Sequence, residues 1–244
     1  MTGMHAALDH VIVPIVVAWS VIEWLWSYPR FVRAIRAGVP GARRSHYWSI
    51  LVPEWLITAG LLVLWVIYRR PWSALLLGSS TPWRLGIGLA IAALVVTLLG
   101  ARRRAILARP ELLEVVRRKV AQLEPLLPHS ADECRLWVAL AVTAGVCEEL
   151  IFRGFMMWYF WVWTGPSLAL VISSAIFGFG HIYLGLPQVP KTAAVGAVLA
   201  AIVLLTGSLW PAMIIHAAID WTSGDLGFHT FPAATPNTSD AAKA

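Results

Sequence analysis

The chain has 244 residues, 59% of them apolar and 13% charged, with 14 Trp and a mean hydropathy of +0.71. A soluble domain of this length carries about 25% charge, so a water-soluble globular fold is excluded and the bilayer must solvate most of the chain. The net charge of +6 comes from Arg residues clustered between apolar stretches, as in cytoplasmic loops; membrane lipids are expected as partners and nucleic acid is not.

Apolar runs of about 17–25 residues mark membrane crossings. The first is expected from Val11 to Trp26, the second from Ser49 to Tyr68 and the third from Leu85 to Leu99. No basic region precedes the first run and no small-residue cleavage site follows it, so it reads as a retained helix. The stretch from Ala101 to Glu124 is rich in Arg. Its Leu112, Leu113, Val116, Val120 and Leu123 recur at helical spacing, which predicts an amphipathic helix lying on the membrane surface. A long span from Leu136 to Trp163 stops at Thr164-Gly165-Pro166. Ser167 to Tyr183 follows, then a break at Gly185, Pro187 and Pro190, then Thr192 to Leu205 and Leu209 to Trp221.

The predicted architecture is all-α: a polytopic transmembrane helical bundle with about seven spans (six to eight) and an interfacial amphipathic helix. Residues 1–125 are the amino-terminal membrane helices and basic segment, 126–222 a catalytic core, and 223–244 a small, polar tail expected to be disordered. Lys and Arg counts set the orientation. The first loop holds Arg30, Arg33, Arg36, Arg43 and Arg44, and the third holds eight basic residues from Arg102 to Arg135; the second holds only Arg69, Arg70 and Arg84. Loops one and three are therefore expected in the cytoplasm, with the amino terminus outside and the tail inside. Cys134 and Cys147 lie on one helix too far apart to meet, so no disulfide is expected.

Charges inside spans are expensive, so each needs a partner or a task. Glu149 and Arg153 are four apart on the fourth span and pair on one helix face. Glu148, rotated about 100° from Glu149, cannot share that partner equally, which suits a general base or acid. His181 ends the fifth span one turn after Phe177, and His216 precedes Asp220 by one turn in the last. Gly178 and Gly180 remove bulk, so a neighbouring helix or an extended peptide can approach. Each feature alone has a structural explanation, but three spans that each bring such a group point to one shared polar site. Glu23 and Glu54 read as interfacial groups near span ends. His5, His10, His46, His129 and His229 fall outside spans or at their edges, and Cys147 has no neighbouring His to activate it.

These segments resemble the CAAX protease and bacteriocin-processing (CPBP, or ABI) family, whose pattern is E-E-x-x-x-R, then F-x-x-x-H, then H-x-x-x-N/D on separate membrane helices. Here they are Glu148-Glu149 to Arg153, Phe177 to His181 and His216 to Asp220. The resemblance covers roughly Leu136 to Trp221 and implies an intramembrane endopeptidase with a conical cavity. It implies that Glu148 and His181 activate water, that His216 and residue 220 stabilise the oxyanion, and that Glu149, Arg153 and Phe177 support the site. Asp220 departs from the Asn of the prenyl-protein members, and an ionised Asp cannot donate to an oxyanion. Either it is protonated, or it orients His216, or it ligates a metal. The cofactor expectation is correspondingly open between none and a Zn²⁺ held by Glu148, His181, His216 and Asp220.

The substrate class that follows is a membrane-anchored protein or peptide, whether for CAAX-type processing, surface-protein sorting or bacteriocin-related processing, in a bacterial inner membrane. The alternatives are a polytopic transporter or proton relay, against which no internal repeat is visible, and a catalytically silent scaffold, against which no motif residue is lost.

Overall fold

In hydrocarbon every backbone N–H and C=O must find its partner within the segment, so a chain this apolar folds as helices. The computed structural model describes residues 7–78 and 81–231, and among them every regular element is helical. The first crossing is α1 (Asp9–Ile22), a π-helical turn (Glu23–Ser27) and α2 (Tyr28–Arg36). Then come α3 (Ala42–Ile67), α4 (Pro82–Leu107) and the short α5 (Pro110–Val120). Next, α6 (Ala131–Glu148) passes through a π-helical segment (Glu149–Met156) into α7 (Met157–Gly180), followed by α8 (Gln188–Thr206) and α9 (Trp210–Thr230).

Five stretches are long and apolar enough to cross a membrane: Asp9–Arg36, Ala42–Ile67, Pro82–Leu107, Ala131–Gly180 and Gln188–Thr206. The fourth of these has 50 residues, about 75 Å if straight, against a hydrocarbon core of about 30 Å. It therefore folds back at Gly165, whose φ of 74° is left-handed and open to glycine at little cost. Pro166 then lacks the N–H to continue the ladder. Across this turn the Ser173 hydroxyl donates to the Phe152 carbonyl at 2.7 Å, and the rings of Phe152 and Phe177 meet at 5.1 Å. The two arms are antiparallel. With this hairpin and α9, whose 21 residues reach about 31 Å, the described residues make seven crossings. Leu56, Trp83, Trp163 and Leu205 are 65–71% exposed, an outer surface that only lipid can cover. The protein is an integral membrane protein.

Contacts between connections sort them into two faces. Arg43, at the start of α3, donates to the Pro125 carbonyl at 2.9 Å and to Glu124 at 3.1 Å, while Arg117 lies over Phe231 just past α9. On the opposite face, Arg70 pairs with Asp9, and the Leu209 N–H donates to the Leu76 carbonyl at 2.9 Å. Loops one and three thus share a face, as the charge count requires.

Several boundaries differ from expectation. The first crossing runs on to Arg36 and the second begins at Ala42, because Arg residues near a span end reach the interface on long apolar stems and need not end the helix. The predicted amphipathic helix is split: residues 101–107 complete α4, and Pro110 starts α5, since proline fits the first turn of a helix. No residue of α5 is buried. The tail expected from 223 is helical as far as Thr230, where Leu226, Gly227 and Thr230 are buried; residues 232–244 of that tail, and His5, lie outside the described residues. Close helix approach is visible at Gly178, where an added Cβ would sit 2.6 Å from the Val189 carbonyl oxygen on α8.

Candidate active site

The π-helical segment widens the helix where Glu149 and Arg153 sit, a distortion often found at functional positions. The Arg153 Nη1 donates to Glu149 Oε1 at 2.8 Å, and both side chains are fully buried. The same Oε1 lies 2.8 Å from His216 Nδ1 on α9. A carboxylate only accepts, so Nδ1 carries the hydrogen and the ring is fixed in orientation. His216 Nε2 then lies 3.8 Å from Glu148 Oε2 and 3.5 Å from Asp220 Oδ2. Glu149 therefore ties Arg153 and His216 together, and His216 aims its free nitrogen between the other two carboxyls.

Phe177 joins this cluster to α7. The Arg153 guanidinium lies 4.1 Å from its ring centre, a cation–π contact inside the bundle. Its ring meets His216 edge-on at 5.8 Å and His181 at 4.8 Å. His181 Nδ1 donates to the Phe177 carbonyl at 2.9 Å, so in the neutral ring Nε2 keeps its lone pair. The Trp137 indole donates to the Asp220 carbonyl at 2.8 Å and buttresses α9 from α6.

Glu148, His181 and Asp220 line one cavity of about 220 Å³, together with Glu54, Tyr183 and Leu126. Leu126 belongs to the third loop, so this cavity reaches the face that carries loops one and three. A narrower space of about 80 Å³, shared by Glu23, Glu54, Glu148 and His181, extends between α1 and α3. Side-chain exposure grades the residues: Asp220 35%, Glu148 16%, His216 7%, and Glu149 and Arg153 zero. The first two face the cavity, and the buried pair supports them from beneath. Among the described residues, no three His, Cys, Asp or Glu side chains converge as a metal ion would require. Glu148, His216 and Asp220 nevertheless share one neighbourhood, with His181 on the same cavity wall as Glu148 and Asp220.

Three residues read as interfacial or peripheral prove to be internal. Glu23 is 5% exposed, and its Oε1 lies 3.6 Å from Nε2 of His46, itself buried. His46 stacks flat on Phe31 at 4.0 Å. Glu54 joins Glu148 in the cavity wall. The missed signal was position: with α3 starting at Ala42, Glu54 is at mid-helix and not at an end. Both cysteines are free, and Cys147 is fully buried.

Fold and site together define a polytopic membrane protein with a polar centre enclosed by its own helices. A family profile described as type II CAAX prenyl endopeptidase Rce1-like matches residues 131–222. Over that segment the resemblance to the CAAX protease and bacteriocin-processing family holds, and the match supports a CAAX-type intramembrane endopeptidase in general. No curated protein matches the chain, and no solved structure does.

Proposed function

We propose that this protein hydrolyses a peptide bond of a membrane-anchored protein or peptide inside the bilayer, with a water activated by Glu148 and His181. The observation that carries this reading is the shared cavity: Glu148 of α6, His181 at the end of α7 and Asp220 of α9 all line it. Glu148 takes a proton from the water while the water oxygen bonds to the scissile carbonyl carbon. The lone pair on His181 Nε2 holds that water from the other side. As the tetrahedral intermediate collapses, Glu148 returns the proton to the departing amine and the C–N bond breaks.

His216, gripped at Nδ1 by Glu149, presents Nε2–H to the developing oxyanion when both ring nitrogens are protonated. Asp220 orients His216 from the Nε2 side. Arg153 holds Glu149 in place through their 2.8 Å ion pair. Substrate enters from the face that holds the basic loops, read as cytoplasmic by the positive-inside rule, and the membrane is that of a bacterial cell.

The test is a cleavage assay in proteoliposomes on a prenylated carboxyl-terminal peptide and on a set of single-span peptides. Wild type is compared with Glu148→Ala, His181→Ala and His216→Ala. Loss of cleavage in all three supports the assignment; undiminished cleavage in all three removes it. A strong chelator in the same assay should leave the rate unchanged, and inhibition reversed by Zn²⁺ would show that a metal does the activating.

A further inference from the structure

A developing oxyanion in this cavity faces a wall of acceptors. Glu54, Glu148 and Asp220 all line it, and an ionised carboxylate only accepts and repels a second negative charge. The donors on the same wall are few, and most are committed. The Trp137 indole donates to the Asp220 carbonyl at 2.8 Å. The Ser223 hydroxyl donates to the Ile219 carbonyl at 2.8 Å, and His181 Nδ1 to the Phe177 carbonyl at 2.9 Å. That leaves Tyr183. It lines both parts of the cavity beside Glu148 and His181, and among the described residues no hydrogen bond commits its hydroxyl.

The ring itself is held. Tyr183 lies in a short 3₁₀ turn (Ile182–Leu184) directly after His181, ended by Gly185 at a φ of 107°. The Leu184 N–H donates to the His181 carbonyl at 3.0 Å and ties the turn to the end of α7. The Tyr183 ring stacks on His181 at 6.1 Å with the planes 24° apart, and it packs on Tyr28 of α2 at 5.1 Å. These contacts account for an aromatic ring, and Phe would make them equally well. They do not account for the hydroxyl, which an enclosed tyrosine ordinarily pairs.

We infer that Tyr183 is a catalytic residue whose phenolic O–H donates a hydrogen bond to the scissile carbonyl oxygen as that oxygen takes up negative charge. The inference rests on the endopeptidase reading above. The phenol keeps its proton throughout. The water proton goes to Glu148 and on to the departing amine, and the oxyanion gives its charge back when the C=O bond re-forms. A neutral donor suits a wall with three carboxyls, because it stabilises the oxyanion without needing a second protonation. Tyr183 at the end of α7 and His216 on α9 then supply the donors that the carboxylates cannot.

The experiment resolves kcat and KM for wild type, Tyr183→Phe and Glu148→Ala on the prenylated peptide in proteoliposomes, with thermal unfolding of each in detergent. Removing one oxyanion donor costs about 10²–10³-fold in kcat. Tyr183→Phe should lose that much, with KM within a few-fold and unfolding unchanged. A kcat within a few-fold of wild type, or a loss confined to KM, overturns the inference. Should Tyr183→Phe not fold, 3-fluorotyrosine in place of Tyr183 decides, since it is a more acidic phenol of nearly the same shape. Below neutral pH it should raise kcat, and an unchanged or lower kcat overturns the inference. Wild-type and Glu148→Ala rates that do not differ defeat the endopeptidase reading and the inference with it. An inactive Glu148→Ala beside a fully active Tyr183→Phe defeats the inference alone.

Discussion

The carboxyl-terminal helices α6, α7 and α9 and the amino-terminal α1 and α3 contribute to the same cavity in different ways. The π-helical segment after α6, the end of α7, and α9 carry their site residues in pairs four apart: Glu149 with Arg153, Phe177 with His181, His216 with Asp220. Each pair is partly satisfied within its own helix turn or by the neighbouring motif, and the result is a cluster locked by Glu149. The π-helical turn after α1 brings Glu23 and α3 brings Glu54; both Glu23 oxygens and Oε2 of Glu54 are buried without a hydrogen-bond partner. One half of the molecule builds a self-consistent polar centre. The other closes it and leaves its acidic groups facing the cavity.

The largest effect should come from the first half. Glu148→Ala should lower the cleavage rate about 10²–10⁴-fold, the usual worth of a positioned general base, measured as product formed per unit time in proteoliposomes. If the change is only a few-fold, the catalytic centre does not lie in the motif helices and the contrast fails.

Next in size is Glu149→Ala. It strips partners from Arg153 and from His216 at once, and removing one member of a buried ion pair costs about 3–5 kcal/mol. Thermal unfolding in detergent should fall sharply, with activity lost as well. A variant that unfolds like wild type but is inactive would make Glu149 a chemical group and not a structural one.

Gly178→Ala should come third. Its Cβ would lie 2.6 Å from the Val189 carbonyl oxygen and 2.7 Å from the Ala193 Cβ, so α7 and α8 must separate. Overpacking of this kind costs about 1–3 kcal/mol, read in the same unfolding experiment. Because His181 lies just beyond, the rate should drop too.

The smallest effect belongs to the amino-terminal half. The Tyr47 hydroxyl donates to the Leu126 carbonyl at 2.6 Å and so pins the loop that forms the cavity wall. Tyr47→Phe should cost about 0.5–1.5 kcal/mol and alter KM more than kcat. An unchanged KM would mean that this loop does not shape substrate entry.

The same contrast explains what the sequence made legible. Charged residues inside apolar runs stand out because lipid makes them costly, so Glu148, Glu149, Arg153, His216 and Asp220 could be singled out by number, and the turn at Thr164-Gly165-Pro166 by its glycine and proline. Glu23 and Glu54 were misplaced for a physical reason. Counting apolar residues ends a span at the first cluster of Arg, yet long Arg side chains let the helix continue toward the interface. Extending α2 to Arg36 and starting α3 at Ala42 moves both glutamates inward. That Glu54 and Glu148 line one cavity depends on how α3 packs on α6, and no periodicity within either segment encodes that register. The tail was shortened similarly: residues 223–230 look polar in isolation, but Gly224 packs on Trp137 and Gly227 on Leu127.

The central claim is that Glu148 activates a water for peptide hydrolysis within the bundle. Its most direct test is a single turnover on the prenylated peptide in heavy-oxygen water, comparing wild type with Glu148→Gln by product mass. The account predicts one heavy oxygen in the new carboxyl terminus from wild type and no product from the variant. Product formed by Glu148→Gln at the wild-type rate would contradict it.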